Sequence, residues 1–195
     1  MEIYSQIFEI FFSKLKEETP SYYTYHTPEH TQYVIEKAIM IGKEENIQKK
    51  EIELLKIAAL FHDMGFLRSR ENHEETACEM VSQELPSWDF STYEISQICG
   101  MIRATKIPQR PISLLDKIIA DADLEYLGTD LYEVQANNLY KELIYFNPTL
   151  TKKEWLEIQV NFLSTHRFHT EFCINNRDPK KQEHLKRLKC NFIEF

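Results

Sequence analysis

The shortage of glycine is the feature that most limits the fold of this chain, because only 4 of its 195 residues are glycine. A β-rich protein of this length needs many tight turns, and tight turns favour glycine. No segment alternates apolar and polar residues over a long run, whereas residues 3–17 place apolar side chains at helical spacing. Hydrophobic residues make up 43% of the chain, enough for a substantial core. We therefore expect a single all-α helical domain over residues 1–195.

Local start and stop signals divide the sequence into helices. Thr27 and Pro28 form a typical N-cap and first helical residue. Capping-box spacing occurs at Ser91–Glu94 and at Thr151–Glu154. The run 57–61 is apolar on all sides, which is typical of a central buried helix. The expected helices cover residues 3–17, 27–46, 50–64, 72–85, 91–105, 113–128, 130–146 and 151–165, and a last one begins at residue 178.

Charge and cysteine content argue against several classes of protein. The formal net charge is −8, and the one basic cluster, residues 180–189, includes Glu183 and is typical of a solvated helix face. We therefore expect no binding to duplex nucleic acid, which requires a basic surface. The 4 cysteines lack metal-finger spacing and are expected to be free thiols of a reducing compartment. No segment approaches the ~20 apolar residues of a membrane span, and the N-terminus lacks a signal-peptide pattern, so we expect a cytoplasmic protein without membrane contact.

Histidines and aspartates interrupt apolar helical segments, where a polar side chain without a partner would be costly to bury. They are His30, His62, Asp63 and Asp123. Two imidazole nitrogens and two carboxylate oxygens suit one divalent ion of Mn, Fe, Ni, Co or Zn, with Mg also possible. Four protein ligands leave positions for water and a phosphate oxygen, as a metal-dependent hydrolase requires. The alternative is that each residue is a satisfied core or capping group.

Two sequence segments carry a resemblance to a known family. Residues 58–65 (AALFHDMG) and 120–124 (ADADL) resemble the two most diagnostic motifs of the HD-domain metal-dependent phosphohydrolases, an all-helical superfamily with an H…HD…D ligand pattern. The resemblance covers residues 22–128. It implies an HD-type helical bundle, on which residues 129–195 are expected to pack as further helices.

The same resemblance implies a ligand set and a single ion. The implied ligands are His30, His62, Asp63 and Asp123. Asp121 competes with Asp123, and Asp123 is favoured because it directly precedes a leucine, as in the family pattern. The additional paired histidines of the clearly dinuclear members are missing, so one metal ion is expected rather than two. Asp63 also counts as a catalytic residue, because loss of this ligand should abolish both metal content and turnover.

His26 and the pair His73–Glu74 are the candidates for handling protons or binding substrate. Residues 25–30 are similar to the opening of cyclic-nucleotide phosphodiesterases, where the first histidine is a general acid, and the resemblance implies this role for His26. The alternative is a loop histidine packed against Tyr22 or Tyr23. Some HD enzymes place a second-metal histidine or a water-orienting acid at the position of His73–Glu74. The alternative for Glu74 is an acid that stabilises the helix dipole.

Four residues further along the chain are candidates for binding the substrate. Arg103 and Lys106 precede a loop bracketed by prolines and could hold phosphate oxygens. Their alternative role is that of ordinary surface cations at the end of a helix. His166 and Arg177 lie outside the resemblance, in a stretch that could fold over the pocket as a lid.

Together these features predict a metal-dependent phosphohydrolase, either a phosphomonoesterase or a phosphodiesterase. Its expected substrate is a small phosphorylated metabolite, in the first place a nucleotide, attacked by a metal-activated water. An alternative of another class is a non-catalytic module that keeps the metal site and senses a nucleotide. A third is a helical scaffold with a vestigial site. The intact ligand set and the presence of His26 favour catalysis.

Overall fold

The computed structural model describes residues 2–193. This part of the chain forms ten α-helices: α1 (Glu2–Glu18), α2 (Pro28–Glu44), α3 (Lys49–Phe61), α4 (His73–Glu84), α5 (Thr92–Ala104), α6 (Leu114–Asp123), α7 (Tyr132–Phe146), α8 (Lys152–Thr165), α9 (Glu171–Asn176) and α10 (Asp178–Ile193). Short 3-10 turns cover Met64–Leu67, Leu85–Trp88 and Glu125–Gly128. No strand occurs within residues 2–193, so the expected all-α class is confirmed.

Helix α3 lies at the centre of the bundle. Its run 57–61 is at most 1% exposed, as expected for a helix that is apolar on all sides. Helix α3 packs against α2, α5 and α6, and α2 also packs along α6. Helix α4 covers α5 and contacts the turn Met64–Leu67, which follows α3. The start of α2 and the ends of α3 and α6 meet on one side of this core.

The local capping signals predict most helix starts correctly. Thr27 caps α2 by accepting a hydrogen bond from the His30 backbone amide at 3.3 Å. Capping boxes are present at Ser91–Glu94 and Thr151–Glu154, as expected. Asn72 precedes α4 but has a left-handed backbone (φ 52°) and makes no side-chain cap. Its Oδ1 instead accepts a hydrogen bond from Lys106 Nζ at 3.1 Å, which ties the start of α4 to the end of α5.

Two predicted helices end earlier than expected, and one helix was not predicted. Helix α3 ends at Phe61 rather than near residue 64, and the chain turns in a 3-10 turn through Gly65. A Cβ at Gly65 would overlap the carbonyl oxygen of His73, so this glycine lets α4 begin directly against the end of α3. Helix α6 ends at Asp123 rather than at residue 128. Helix α9 has only 6 residues, too few to produce a clear apolar period.

The C-terminal helices pack on the core through a few defined contacts. Helix α7 contacts the turn Glu125–Gly128, α10 contacts the same turn and α8, and α9 contacts α2. Gly128 permits this approach, because a Cβ there would overlap the backbone of Arg177. No helix within residues 2–193 has the length and apolar character that crossing a membrane requires.

Candidate metal centre

Four side chains from three chain segments converge beside the core. His30 lies in the first turn of α2, His62 and Asp63 directly follow α3, and Asp123 is the last residue of α6. His30 Nε2 lies 3.1 Å from Asp123 Oδ1 and 3.6 Å from Asp63 Oδ2. His62 Nε2 lies 3.1 Å from Asp63 Oδ2 and 3.6 Å from Asp123 Oδ1. One donor atom each from His30, His62 and Asp123 falls within 4.8 Å of the others, with Asp63 beside them.

The donor atoms of this cluster fit a bound cation. His62 Nδ1 donates to the Ala59 carbonyl oxygen at 2.8 Å, so a neutral His62 presents the bare lone pair of Nε2 to the cluster. His62 Nε2 and Asp63 Oδ2 are buried and lack a partner with hydrogen-bond geometry. Such atoms cost about 1–3 kcal/mol each when nothing binds them. Two imidazole nitrogens and two carboxylate oxygens are a donor set for Mn, Fe, Co, Ni or Zn, with Mg also possible.

The charges of the cluster also favour a cation. Burial raises the pKa of the Asp123 carboxyl, but the hydrogen bond with His30 and the neighbouring His62 imidazole outweigh burial and leave the pKa at about 2. Burial likewise opposes ionisation of Asp63, yet the neighbouring His62 holds the pKa of that carboxyl well below its usual range. Burial lowers the pKa of His62, and the two carboxylates raise it well above its ordinary value. A proton on His62 therefore occupies the place that a metal ion would take.

Asp121 and Asp123 lie two residues apart on α6 and have different partners. Asp121 is fully buried and accepts hydrogen bonds from the backbone amides of His169 and Thr170 at 2.8–3.1 Å and from Thr170 Oγ1 at 2.6 Å. Residues two apart on a helix point in different directions, so only Asp123 reaches the cluster. Asp121 instead fixes the chain between α8 and α9.

His26 is held by Glu142, which lies outside the motifs recognised in the sequence. His26 Nδ1 lies 2.5 Å from Glu142 Oε1, and Glu142 Oε2 accepts the backbone amides of Tyr25 and His26 at 2.9 and 3.1 Å. Burial lowers the pKa of His26, but the hydrogen bond with Glu142 outweighs burial and raises the pKa above its ordinary value. The one sequence signal for Glu142 is an acid next to Leu139 and Leu143 on the apolar face of α7.

Phe66 lies between two histidines at the edge of the cluster. Its ring stacks on His26 with centroids 4.1 Å apart and on His73 with centroids 4.0 Å apart. His73 Nε2 lies 3.8 Å from Asp63 Oδ1 and 3.5 Å from Glu74 Oε1. The stack therefore places His26 and His73 near the carboxylates, on either side of one aromatic ring.

A cavity of about 450 Å³ opens beside the cluster and receives several of the predicted residues. Its polar lining consists mainly of His26, Asp63, Asn72, His73, Glu74, Lys106 and Asp123. The cavity continues away from the cluster between α7, α8 and the turn Glu125–Gly128, where its lining is largely apolar. The candidate proton-handling residues His26 and Glu74 and the candidate ligands Asp63 and Asp123 thus face one common space.

Three predicted substrate-binding residues do not line this cavity. Arg103 lies on the surface and forms two hydrogen bonds of 2.8 Å with Glu75, because the last turn of α5 points it towards α4. His166 is buried and accepts from Lys181, whose Nζ lies 3.3 Å from His166 Nδ1. Arg177 is bound to the buried carboxylate of Glu125. These partners hold all three residues away from the cavity.

The expected lid is not found in the stretch that contains His166. The Asp121 carboxylate accepts the Thr170 backbone amide of that stretch. Lys181 Nζ donates to the carbonyl oxygen of His166 at 2.9 Å. Lys181 is itself fully buried and paired with Asp178 at 2.7 Å. The segment between α8 and α9 is therefore part of the packed structure.

Comparison with known proteins shows several solved structures of the same architecture. A crystal structure described as a predicted HD superfamily hydrolase from an uncultured Thermotogales bacterium has 21% identity and a TM-score of 0.61, covering 95% of this chain and 91% of that chain. A Lactobacillus plantarum protein has 14% identity and a TM-score of 0.64, with 95% and 96% covered. Bacillus subtilis YpgQ, solved in complex with ADP, has 16% identity and a TM-score of 0.59, with 97% and 96% covered. At these identities the likeness shows the fold alone. No curated protein matches the sequence significantly.

The family model of the HD domain matches residues 27–125, just over half of the 195 residues. The matched range begins at the cap of α2 and ends two residues after Asp123, so it contains all four residues of the candidate metal centre. The resemblance seen in the sequence motifs is thereby confirmed, and the chain belongs to the HD domain family.

Proposed function

We propose that this protein is a metal-dependent phosphohydrolase that hydrolyses a phosphate ester of a small metabolite. The observation that carries the proposal is the shared cavity: the cluster of His30, His62, Asp63 and Asp123 opens into the same space as His26. A divalent ion held by these four residues would supply a Lewis acid for the phosphoryl oxygens and a water of lowered pKa.

We assign His26 the role of protonating the leaving oxygen. Glu142 accepts the Nδ1 proton, so Nε2 of a protonated His26 carries the second proton on the cavity side. Departure of an alkoxide requires a proton, and an imidazolium with a raised pKa supplies it. Glu142 positions His26 and favours its protonated form without lining the cavity itself.

Three further residues complete the polar end of the cavity. Lys106 Nζ lies 3.8 Å from Glu74 Oε2 and its side chain is half exposed, so the ammonium group can turn towards a phosphate oxygen. Glu74 is nearly buried at the start of α4, and we assign its carboxylate to orienting the attacking water. His73 stands between Glu74 and Asp63 and contributes a further donor to the phosphate.

A narrower form of this proposal is that the substrate is a nucleotide. The support for it is that the structure of YpgQ, which has a similar fold, contains ADP. The alternative is a module that binds a nucleotide without hydrolysing it. The His26–Glu142 pair favours catalysis, because a binding module has no use for a proton donor beside the metal cluster.

The experiment combines elemental analysis with turnover of p-nitrophenyl phosphate and bis-p-nitrophenyl phosphate by protein loaded with Mn²⁺. We expect one ion per chain and metal-dependent release of p-nitrophenol. Asp123→Asn should lose both the bound ion and the turnover. Asp130→Asn, at a side chain that is 93% exposed, should keep the ion and the turnover. Wild-type turnover in Asp123→Asn would overturn the proposed mechanism. Stoichiometric nucleotide binding without product would identify the non-catalytic module.

A further inference from the structure

The cavity beside the metal centre has a second, apolar region with no evident part in the chemistry. We call this region the apolar arm. It is lined by Leu127, Ala136, Leu139, Trp155, Ile158 and Phe162. These residues come from α7, α8 and the turn Glu125–Gly128, whereas the polar lining comes from the ends of α2, α3, α4, α5 and α6. The cavity is thus divided into a polar end and an apolar end.

The apolar arm is built from regular helix faces. Leu139 and Leu143 lie four residues apart on α7, and Trp155, Ile158 and Phe162 follow the i, i+3, i+7 spacing on α8. Such faces normally pack against each other. Here α7 packs chiefly on the turn after α6 and α8 chiefly on α10, so the two faces leave a space between them. Apolar side chains that face a space lose dispersion contacts, and a bound apolar group would restore them.

Two polar side chains of the arm, those of Tyr132 and Gln159, bind each other. Tyr132 Oη donates to Gln159 Oε1 at 2.8 Å, and both residues line the cavity. A nucleobase carries several donors and acceptors along its edge, and burying them without partners would cost binding energy. The arm therefore favours a hydrocarbon group over a nucleobase.

The polar end suits one phosphate rather than a chain of them. Lys106 is the one lysine or arginine among the residues that line the cavity within the described part of the chain. Asp63, Glu74 and Asp123 line the same end with negative charge. A nucleoside di- or triphosphate brings several negative charges and needs more cationic partners than one half-exposed lysine, the His26 imidazolium and one divalent ion.

From these observations we propose that the substrate is a monophosphate ester of a hydrocarbon-rich alcohol, with its hydrocarbon group in the apolar arm. The proposal rests on the phosphohydrolase function and, from the lining of the cavity, names a hydrocarbon-rich ester in place of the nucleotide that the ADP in YpgQ suggests. Hydrolysis breaks the bond between phosphorus and the ester oxygen. Water supplies the oxygen that remains on phosphate, and His26 gives its proton to the alcohol oxygen that leaves. The proton that the attacking water loses restores the one given by His26, so the reaction balances.

The first test is a series of n-alkyl phosphates from ethyl to octyl, turned over by Mn²⁺-loaded protein. The leaving oxygen has the same chemistry throughout the series, so differences in kcat/KM report burial of the chain. We expect kcat/KM to rise about three- to four-fold per methylene until the arm is filled. AMP and ADP serve as comparison substrates and should be poorer than hexyl phosphate. A flat series, or a preference for AMP or ADP, would overturn the proposal.

A pair of matched variants locates the effect in the arm. Ile158 lines the arm and is 46% exposed, so Ile158→Glu should fold normally while placing a charge beside the hydrocarbon group. It should lower kcat/KM for octyl phosphate at least ten-fold more than kcat/KM for ethyl phosphate. Ile174→Glu, at 49% exposure on α9 and away from the cavity, is the control and should leave both values unchanged. Equal behaviour of the two variants would refute the assignment of the arm.

A binding measurement separates this proposal from the proposed function. Trp155 lines the arm, and Trp88 is the second tryptophan of the chain. In a Trp88→Phe background, the Trp155 fluorescence should change with the concentration of octylphosphonate and reach a plateau. Ethylphosphonate should cause the same change only at far higher concentration. If no ester is hydrolysed but octylphosphonate binds, the arm stands and the phosphohydrolase function fails. If esters are hydrolysed but octyl and ethyl phosphonate bind equally, the function stands and the substrate class fails.

Discussion

Replacing Glu142 by glutamine tests the role of His26 with little change of shape. The glutamine oxygen can still accept the backbone amides of Tyr25 and His26, which Glu142 binds at 2.9 and 3.1 Å. The change removes the charged partner of His26 Nδ1, which lies 2.5 Å from Glu142 Oε1. The pKa of His26 should fall, because the hydrogen bond with Glu142 is what raises it against burial. Less of the enzyme then carries the proton that an alkoxide needs.

The size of the effect follows from the bond that is lost. A hydrogen bond to a charged group contributes about 1.5–3 kcal/mol. If that energy acts on the transition state, kcat/KM for an alkyl phosphate should fall by roughly 10- to 150-fold. p-Nitrophenolate leaves without a proton, so kcat/KM for p-nitrophenyl phosphate should change by no more than a few fold.

The assay compares both esters in the wild type, in Glu142→Gln and in Glu133→Gln. Glu133 carries the same substitution on the same helix, but its side chain is 67% exposed and bound to Arg187, so this control should match the wild type with both substrates. An equal loss for both esters in Glu142→Gln would show a merely structural role for Glu142. An unchanged rate with the alkyl ester would remove His26 from the mechanism as its proton donor.

Three further changes test other parts of the structure. Mn²⁺ should raise the Tm of the wild type but not of His62→Ala, since a ligand that binds only the native state stabilises it; an equal shift in both would place the ion elsewhere. Asp121→Asn should lower stability by about 1–3 kcal/mol in urea unfolding and speed proteolysis after α8, with metal content retained. Hydrogen bonds with Ser91 hold the Glu94 pKa at about 2, below the ordinary 4.5, so its stabilisation is full above pH 4.5 and is lost towards pH 2. Glu94→Gln should therefore unfold more easily than the wild type at pH 7 and no more easily at pH 2.

The features that sequence predicts well here are those set by neighbouring residues. Ser91–Glu94 and Thr151–Glu154 form their capping boxes because each depends on a spacing of three residues. The run 57–61 is buried because a helix that is apolar on every side has no face for solvent. The HD motif is likewise compact, with its central pair at the end of that same helix.

The features that sequence predicts poorly depend on partners far along the chain. Glu142 holds His26 across 116 positions, and no local pattern links the two. Arg103 and Lys106 are both cations at the end of α5, but only the three-dimensional structure shows that Arg103 pairs with Glu75. His166 and Arg177 were expected to bind the substrate, yet each is held by a residue of another segment. A titratable residue can be recognised from the sequence, but the distant residue with which it forms a hydrogen bond or an ion pair often cannot.

The position of Glu142 has a consequence for anyone who wishes to alter which compounds the protein accepts. Helix α7 lines the cavity through Leu139 and Leu143, but it also carries the carboxylate that holds His26. Helix α8 lines the same cavity, and its contribution there is Trp155, Ile158, Gln159, Phe162 and Leu163. A variant library should therefore randomise α8 and spare α7. Changes in α8 alter the shape of the cavity wall while the proton donor and its support stay in place.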